Sequence, residues 1–200
     1  MSSASERPAP GHAPEQQRLD EALEATFPAS DPVAVGHSER VGAPEDHAPA
    51  RRIEWFDDLV LGMRFRSEDH RVAREDILRF AAEFDPQPYH LDEEAAARTP
   101  LKGLAASGWH TAAIAMRLMT EVRPFGPHPL LGIGVDELRW MAPVRPGDTL
   151  HLEGEVVGLT PSRTKPQGIV LVKWTVFNQS GEAVYTFTPI AIVPRRPQPS

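Results

Sequence analysis

Hydrophobic and polar positions along the chain change their spacing twice, and these changes divide it into three regions. The first 50 or so residues carry few apolar positions in regular order, apart from one short run. Apolar positions then recur at helical spacing in residues 74–84 and 107–122. From about residue 130 onwards they alternate with polar ones, or follow one another as β-branched and aromatic residues, which is typical of strands.

The folded part is predicted to begin near Ile53. An entry segment leads to a turn at Gly62 and then to one early strand at residues 64–72. Four long strands follow late in the chain, in the segments "LLGIGVDELRWMAPV", "DTLHLEGEVVGL", "GIVLVKWTVFNQ" and "EAVYTFTPIAIV". Because three of them have the length and spacing of a meander, they predict a long antiparallel sheet.

Helices are predicted between the early strand and the late ones. The first covers residues 74–84, and a short acidic helix follows with Asp92 as its N-cap. The third, at 107–122, begins at the N-cap Ser107 and is apolar almost all round, which predicts a buried helix. One early strand, helices and a run of long strands form an α+β pattern, with the sheet wrapped around the buried helix.

Residues 1–50 form a separate region ahead of the domain at 51–200. Their richness in Pro, Ser, Ala, Gly and charge predicts a largely disordered tail. Within it, the "LDEAL…FPASDP" element has apolar residues at i, i+4 and i+8 and predicts a short helix at about 16–26. Two interpretations stay open. The favoured one is a marginal helix, because isolated helices of this length are marginal in water, and the other is a docking peptide for a partner.

Composition narrows the function classes. The chain has 200 residues, a net charge of -7, 40% hydrophobic residues and no cysteine, which fits one domain with a tail, or at most two small domains. The acidic balance argues against nucleic acid, and no apolar run approaches the length of a membrane span. The default is a soluble, cytoplasmic protein. The scattered histidines lack metal-site spacing, so neither a metal nor an organic cofactor is predicted.

The stretch "FDPQPYH" carries the candidate chemistry. Asp85 and His90 stand five positions apart, with Pro86 and Pro88 between them. Each proline fixes its own φ and restricts the residue before it, so the separation of acid and imidazole should vary little. Such a pair suits acid–base catalysis, which depends on geometry first. From spacing alone, the favoured interpretation is a turn-forming aspartate, with His90 as a core histidine or a partner of Asp92.

Three segments, "FAAEFDPQPYHLDEEAAA", "GLAASGWHTAA" and "WMAPVRPGDTL", resemble the MaoC-like dehydratases of the hot-dog fold. That family includes the (R)-specific enoyl-CoA hydratases, and the resemblance covers about residues 53–193. Family members carry an acid, four residues, a histidine, a short acidic helix and then a glycine opening the buried helix. Asp85, His90 and Gly108 occupy these places. The chain departs from the family at Gln87, where asparagine is common, and at Ser107, where histidine is often seen.

The resemblance implies a hydro-lyase that adds or removes water at the 2,3 position of an acyl-CoA thioester. Asp85 and His90 would be the acid–base pair, and the backbone N–H of Gly108 would hold the developing oxyanion. Ser107 and Gln87 would contact the substrate. The resemblance also implies a homodimer or higher homo-oligomer with its site at a protomer interface.

Other interpretations remain open. The loop "TPSRTKPQG" carries Arg163 and Lys165, which either bind CoA phosphates or are solvated loop charges. The alternative functions are a hot-dog acyl-CoA thioesterase and a non-catalytic acyl-CoA-binding subunit. The D-x-x-x-x-H pair argues against both, because thioesterases of this fold generally lack it and a binding subunit needs no base.

Overall fold

The computed structural model describes residues 53–198, so the predicted tail and its short helix lie outside the described residues. The strands are β1 (Arg64–Arg66), β2 (His70–Arg71), β3 (Leu131–Trp140), β4 (Thr149–Pro161), β5 (Gln167–Phe177) and β6 (Ala183–Pro194). A 3-10 turn at Phe56–Asp58 precedes the helices α1 (Arg74–Phe84), α2 (Pro88–Leu91), α3 (Glu93–Ala97) and α4 (Gly108–Val122).

One antiparallel sheet organises the described residues, in the strand order β1-β4-β5-β6-β3, with β2 also pairing with β4. The last three strands form the predicted meander, and β3 joins β6 at the far side. Along β4, Leu150, Leu152 and Val156 are buried while Glu153 between them is exposed, as expected of a strand with one face in the core. The structure confirms the predicted α+β architecture.

The early strand is broken in two, contrary to the single strand predicted at 64–72. Arg66 pairs with Glu153 and His70 pairs with Leu150, so four steps along this segment match only three along β4. The extra residue interrupts the ladder as a bulge does. Ser67 sits in the break, where its Oγ accepts the Leu152 N–H at 2.9 Å.

Helix α4 packs one side against the sheet. Ile114, Ala115 and Leu118 are buried in the core. On the other side Met116 is 50% exposed, and Trp109 is 60% exposed. The apolar pattern predicted burial all round, but within residues 53–198 no further layer covers this outer side.

The helix caps follow the sequence prediction. Asp92 accepts the Ala95 N–H at 2.7 Å and begins α3, and Ser107 accepts the Trp109 N–H at 3.2 Å and begins α4. Each side chain satisfies a backbone donor that the helix itself leaves unpaired. None of the helices in the described part of the chain is both long and apolar enough to span a lipid bilayer.

Candidate active site

The "FDPQPYH" stretch folds as a helix end followed by a single helical turn. Asp85 ends α1, with its backbone N–H bonded to the Ala81 carbonyl at 3.0 Å. The predicted loop becomes helix α2, because Pro88 occupies its first position, where a fixed φ and a missing N–H are acceptable. This turn directs His90 inward, and its side chain is 8% exposed.

His90 is held between a backbone carbonyl and the Asp85 carboxylate. Its Nδ1 lies 2.8 Å from the Ala105 oxygen. Since a carbonyl oxygen only accepts hydrogen bonds, Nδ1 carries the hydrogen. In the neutral ring, Nε2 is therefore an acceptor, and it lies 3.4 Å from Asp85 Oδ2. The structure thus brings the two predicted acid–base residues together.

Two donors keep Asp85 ionised. The Ser107 hydroxyl donates to Oδ2 at 2.6 Å, and the Gln87 amide donates to Oδ1 at 2.8 Å. These hydrogen bonds hold the pKa of Asp85 below its ordinary value against the opposing effect of burial, and His90 adds to the lowering when its ring is protonated. The carboxylate is thus anionic and can only accept hydrogen bonds near neutral pH.

The sequence predicted substrate contacts for Ser107 and Gln87, and the structure gives both a place beside Asp85. Ser107 is 1% exposed and lies behind the carboxylate, while capping α4. Gln87 borders the cleft described below, and its Oε1 accepts the Tyr89 hydroxyl hydrogen. Both residues therefore act on the Asp85 carboxylate directly.

Gly108 begins α4 at the other wall of the site. Its backbone N–H has no hydrogen-bond acceptor within residues 53–198, as expected in the first turn of a helix. Trp140 Nε1 donates to the Gly108 carbonyl at 2.8 Å. A Cβ at this position would lie 2.7 Å from the Trp140 ring, so the close approach requires glycine.

A cleft of about 770 Å³ opens between these walls. Its polar edge includes Asp85, Gln87, Tyr89 and His90, and its remaining walls are mainly apolar, among them Leu101, Trp109, Trp140, Met141, Pro143 and Val144. A cleft with apolar walls and a few convergent polar groups is the usual form of a small-molecule site.

His110 lies outside the cleft, although it stands only two residues after Gly108. It is 8% exposed and stacks on Phe80, with ring centroids 4.8 Å apart. Its Nδ1 has no hydrogen-bond partner in the described part of the chain. Burial lowers its pKa, with the Asp76 charge opposing. His110 therefore packs as a neutral ring between α4 and α1.

Arg163 and Lys165 are not brought to the cleft within this chain. They lie in the turn between β4 and β5, beside the end of β6, where the Arg195 N–H bonds to the Pro166 carbonyl. The cleft residue Trp140 pairs with Tyr185, which pairs with Val176 at the other end of β5. Separately, no group of three or more His, Asp or Glu side chains in residues 53–198 is arranged to hold a metal ion.

Two contributors to the site were not predicted from the sequence. The Ala105 carbonyl fixes His90, and Trp140 packs over Gly108. Trp140 lies in the segment "WMAPVRPGDTL", which carries the family resemblance. The sequence therefore indicated that this segment matters, but it did not predict the role of Trp140. The Ala105 carbonyl has no side-chain signal, because a backbone oxygen is present at every residue.

Comparisons with known proteins identify the family of this chain. A family model described as the MaoC like domain matches residues 59–177, more than half of the chain. The 3-hydroxybutyryl-CoA dehydratase of Methylorubrum extorquens is 32% identical over 119 residues, which cover 58% of this chain and 73% of that protein.

Solved structures of dehydratases and hydratases are similar to this chain in sequence and fold. A MaoC-like dehydratase from Rhodospirillum rubrum is 48% identical with a TM-score of 0.69, covering 72% of this chain and 99% of that one. An (R)-hydratase from Pseudomonas aeruginosa is 28% identical with a TM-score of 0.56, covering 73% and 95%. Together with the sheet and the central helix, these matches show that the chain belongs to the MaoC-like dehydratase domain family and has the hot-dog fold.

Proposed function

We propose that this protein is a hydro-lyase that adds water to a 2-enoyl-CoA thioester, or removes it from a 3-hydroxyacyl-CoA. The observation that carries the proposal is the 3.4 Å separation between Asp85 Oδ2 and His90 Nε2 at the edge of a mainly apolar cleft. Related proteins named as a dehydratase and an (R)-hydratase support the same reaction class.

Asp85 and His90 together can orient a water molecule. In the neutral ring, both Nε2 and the nearby carboxylate oxygen are acceptors, so they repel each other unless a donor lies between them or beside both. A water molecule in contact with both atoms donates one hydrogen to each. Its oxygen lone pair is then free to face the cleft and attack C3 of the enoyl group.

The Asp85–His90 pair takes up one proton from water and gives one proton to the substrate. As the water oxygen bonds to C3, one of its protons passes to the Asp85–His90 pair. The C2=C3 π electrons move toward the thioester, and C2 then receives a proton from the pair. The pair ends as it began, and dehydration follows the same steps in reverse. Positioned proton transfer of this kind contributes about 10²–10⁴-fold to rate.

Gly108 is proposed to hold the thioester oxygen while it carries negative charge. Its backbone N–H has no acceptor within residues 53–198 and lies at the N-terminus of α4, where the helix dipole favours an anion. The oxyanion donor and the acid–base pair border the same cleft.

The remaining substrate contacts are proposals of the same kind. Gln87 borders the cleft and donates a hydrogen bond to Asp85, so it would contact the acyl group near C3. Arg163 and Lys165 would reach CoA phosphates only across a protomer interface, because their turn lies away from the cleft of their own protomer. A cytoplasmic location, and a reaction without metal or cofactor, stay predictions from the sequence.

We also propose a homodimer that pairs through the β3 edge. β3 ends the sheet, with β6 as its only neighbour among the described strands. Val135 on this strand is 51% exposed, and Met116 on the outer side of α4 is 50% exposed. An open edge and an uncovered apolar helix face are both features that a second copy would cover.

The function is tested with the full-length chain and crotonyl-CoA. The assay follows loss of the enoyl absorbance and, in parallel, release of free CoA detected with a thiol reagent. The proposal expects enoyl loss without thiol release, and formation of a 3-hydroxyacyl-CoA identified by mass spectrometry. Thiol release would indicate the thioesterase instead, and binding without turnover for C4 to C12 enoyl-CoA esters would indicate a binding subunit.

A further inference from the structure

We propose that Arg145 is a positioning residue for the Asp85–His90 pair, acting through the backbone of residues 101–107. Its effect on turnover rests on the proposed hydro-lyase function, whereas its effect on His90 does not. The side chain lies in the turn between β3 and β4, outside the residues that border the cleft.

The Arg145 guanidinium binds three backbone carbonyls of one segment. Nη1 donates to the Gly103 oxygen at 3.0 Å and to the Leu104 oxygen at 3.2 Å, and Nη2 donates to the Leu101 oxygen. Its own backbone N–H is fixed by Asp148 Oδ2 at 2.7 Å. A planar fork with several donors suits this pattern, which a single ammonium group cannot reproduce.

Backbone geometry shows why this segment needs an external support. Lys102 has a φ of 53° and Gly103 has a φ of 144°. A non-glycine residue in the left-handed region is strained, and such a conformation persists only when its surroundings hold it. Arg145 binds the carbonyls on both sides of this pair, at Leu101 and Leu104, and also the carbonyl of Gly103.

The segment that Arg145 binds leads directly to Ala105, which fixes the His90 ring. The Ala105 carbonyl accepts the His90 Nδ1 hydrogen at 2.8 Å. The next residue, Ala106, donates its N–H to the Val144 carbonyl at 2.8 Å. The peptide that fixes the tautomer of His90 is thus held on one side by Arg145 and on the other by the neighbouring backbone.

The same segment ends at the anchor of Asp85. Ser107 follows at the start of α4 and donates its hydroxyl hydrogen to Asp85 Oδ2 at 2.6 Å. Both members of the pair are therefore attached to one short stretch of backbone. A shift of that stretch would move the Ala105 and Ser107 anchors together, and a misplacement of about 1 Å can cost about 10²-fold in rate.

The test compares Arg145→Gln and Arg145→Lys with the wild-type chain, with Arg195→Lys as the matched control. Arg195 also fixes a chain segment through its guanidinium, with Nη2 2.9 Å from Asp57 Oδ1, but away from the cleft. The tautomer of His90 is read by ¹⁵N NMR of histidine-labelled protein, with its signals assigned by their loss in His90→Gln. Circular dichroism confirms that each variant is folded.

In Arg145→Gln, the His90 signals should move from the Nδ1–H tautomer toward a mixture, and kcat should fall roughly 10- to 100-fold with little change in KM. The kcat of Arg145→Lys should fall less, because lysine retains donors for part of the segment. The kcat of Arg195→Lys should match that of the wild type. An unchanged His90 tautomer in folded Arg145→Gln would overturn the proposal. If the wild-type protein hydrates no enoyl-CoA, the proposed function fails, while the NMR comparison still decides the role of Arg145.

Discussion

Trp140 occupies the space that a side chain on Gly108 would need. Its indole Nε1 donates to the Gly108 carbonyl at 2.8 Å, and its ring atoms lie 2.7 Å from the position of an added Cβ. The ring stacks on Tyr185, with centroids 6.2 Å apart. The start of α4 and the end of β3 are thereby fixed together at the proposed oxyanion site.

Gly108→Ala should lower both stability and kcat/KM, because the new methyl group collides with a ring that is held by Tyr185 and a hydrogen bond. Overpacking of this kind costs about 1–3 kcal/mol in the free energy of unfolding. Urea denaturation and crotonyl-CoA turnover measure the two effects. Adding Trp140→Leu should recover part of the lost stability, and a double variant less stable than Gly108→Ala would contradict the steric explanation.

Asp85→Asn and His90→Gln should each lower kcat/KM by about 10²–10⁴-fold while leaving the fold intact, because each replaces a group that can take up a proton with a neutral amide that cannot. The matched control is His151→Gln. His151 is also largely buried, stacked on Phe177 with centroids 5.6 Å apart, but lies outside the cleft lining. Full activity in Asp85→Asn or His90→Gln would contradict the proposed acid–base role of that residue.

Ser107→Ala should raise the pKa of Asp85 toward its ordinary value, because the hydroxyl is the largest cause of the lowering. A carboxylate with a lowered folded-state pKa stabilises the protein above its unfolded-state value and loses this contribution as pH falls through the folded-state value. The stability gap between wild type and Ser107→Ala should therefore be larger at pH 6 than at pH 3.

That pKa is read directly by titrating ¹³C-labelled aspartate by NMR. Ser107→Thr is the control, since it retains both the hydroxyl and the helix cap. The lost cap lowers the stability of Ser107→Ala at every pH, so only the pH-dependent part of the gap reports on Asp85. An Asp85 titration that is the same in Ser107→Ala and in wild type would contradict the prediction.

Asp58→Asn should destabilise the domain without changing its turnover. Asp58 is 3% exposed, accepts the backbone N–H groups of Glu54 and Trp55 at 3.1 and 3.0 Å, and binds Arg196 at 2.7 Å. Weakening a buried charged network of this kind costs about 1–3 kcal/mol. Although burial raises the pKa of Asp58, these contacts outweigh it and lower the pKa.

The stabilisation from Asp58 is accordingly present above the ordinary carboxyl pKa and lost as pH falls through the lowered one. Thermal unfolding at pH 7 and pH 3 should show a smaller difference between Asp58→Asn and wild type at the lower pH. Turnover at saturating substrate should match the wild type, because this network lies near the first and last described residues and does not border the cleft. A stability difference that is the same at both pH values would contradict the assignment.

Val135→Lys and Met116→Glu should both weaken the proposed homodimer, since each places a charge on a surface that the partner would cover. Analytical ultracentrifugation over a concentration series measures the dissociation constant. Val60→Lys is the matched control, because Val60 is 52% exposed, as Val135 is at 51%, but lies in the turn before β1, at the opposite edge of the sheet from β3. A sedimentation profile that neither substitution changes would reject the β3 edge as the interface.

The amino-acid sequence by itself predicted most of the local structure and the residue types of the site. Apolar spacing gave α1 and α4, and the caps Asp92 and Ser107 marked two helix starts, because these are interactions within a few residues. It could not predict the break in the early strand. That break depends on the register against β4, which is about 85 residues away along the chain.

The tertiary structure alone decided how the site is assembled. The contacts that fix it join His90 to Ala105, Asp85 to Ser107, Trp140 to Gly108 and Arg145 to Leu101, across separations of 15, 22, 32 and 44 residues. Several of them end on backbone oxygens, which leave no mark in the sequence. The stretch "FDPQPYH" therefore identified an acid and an imidazole, whereas only the fold supplied the carbonyl that fixes the tautomer of His90 and the hydrogen bonds that keep Asp85 ionised.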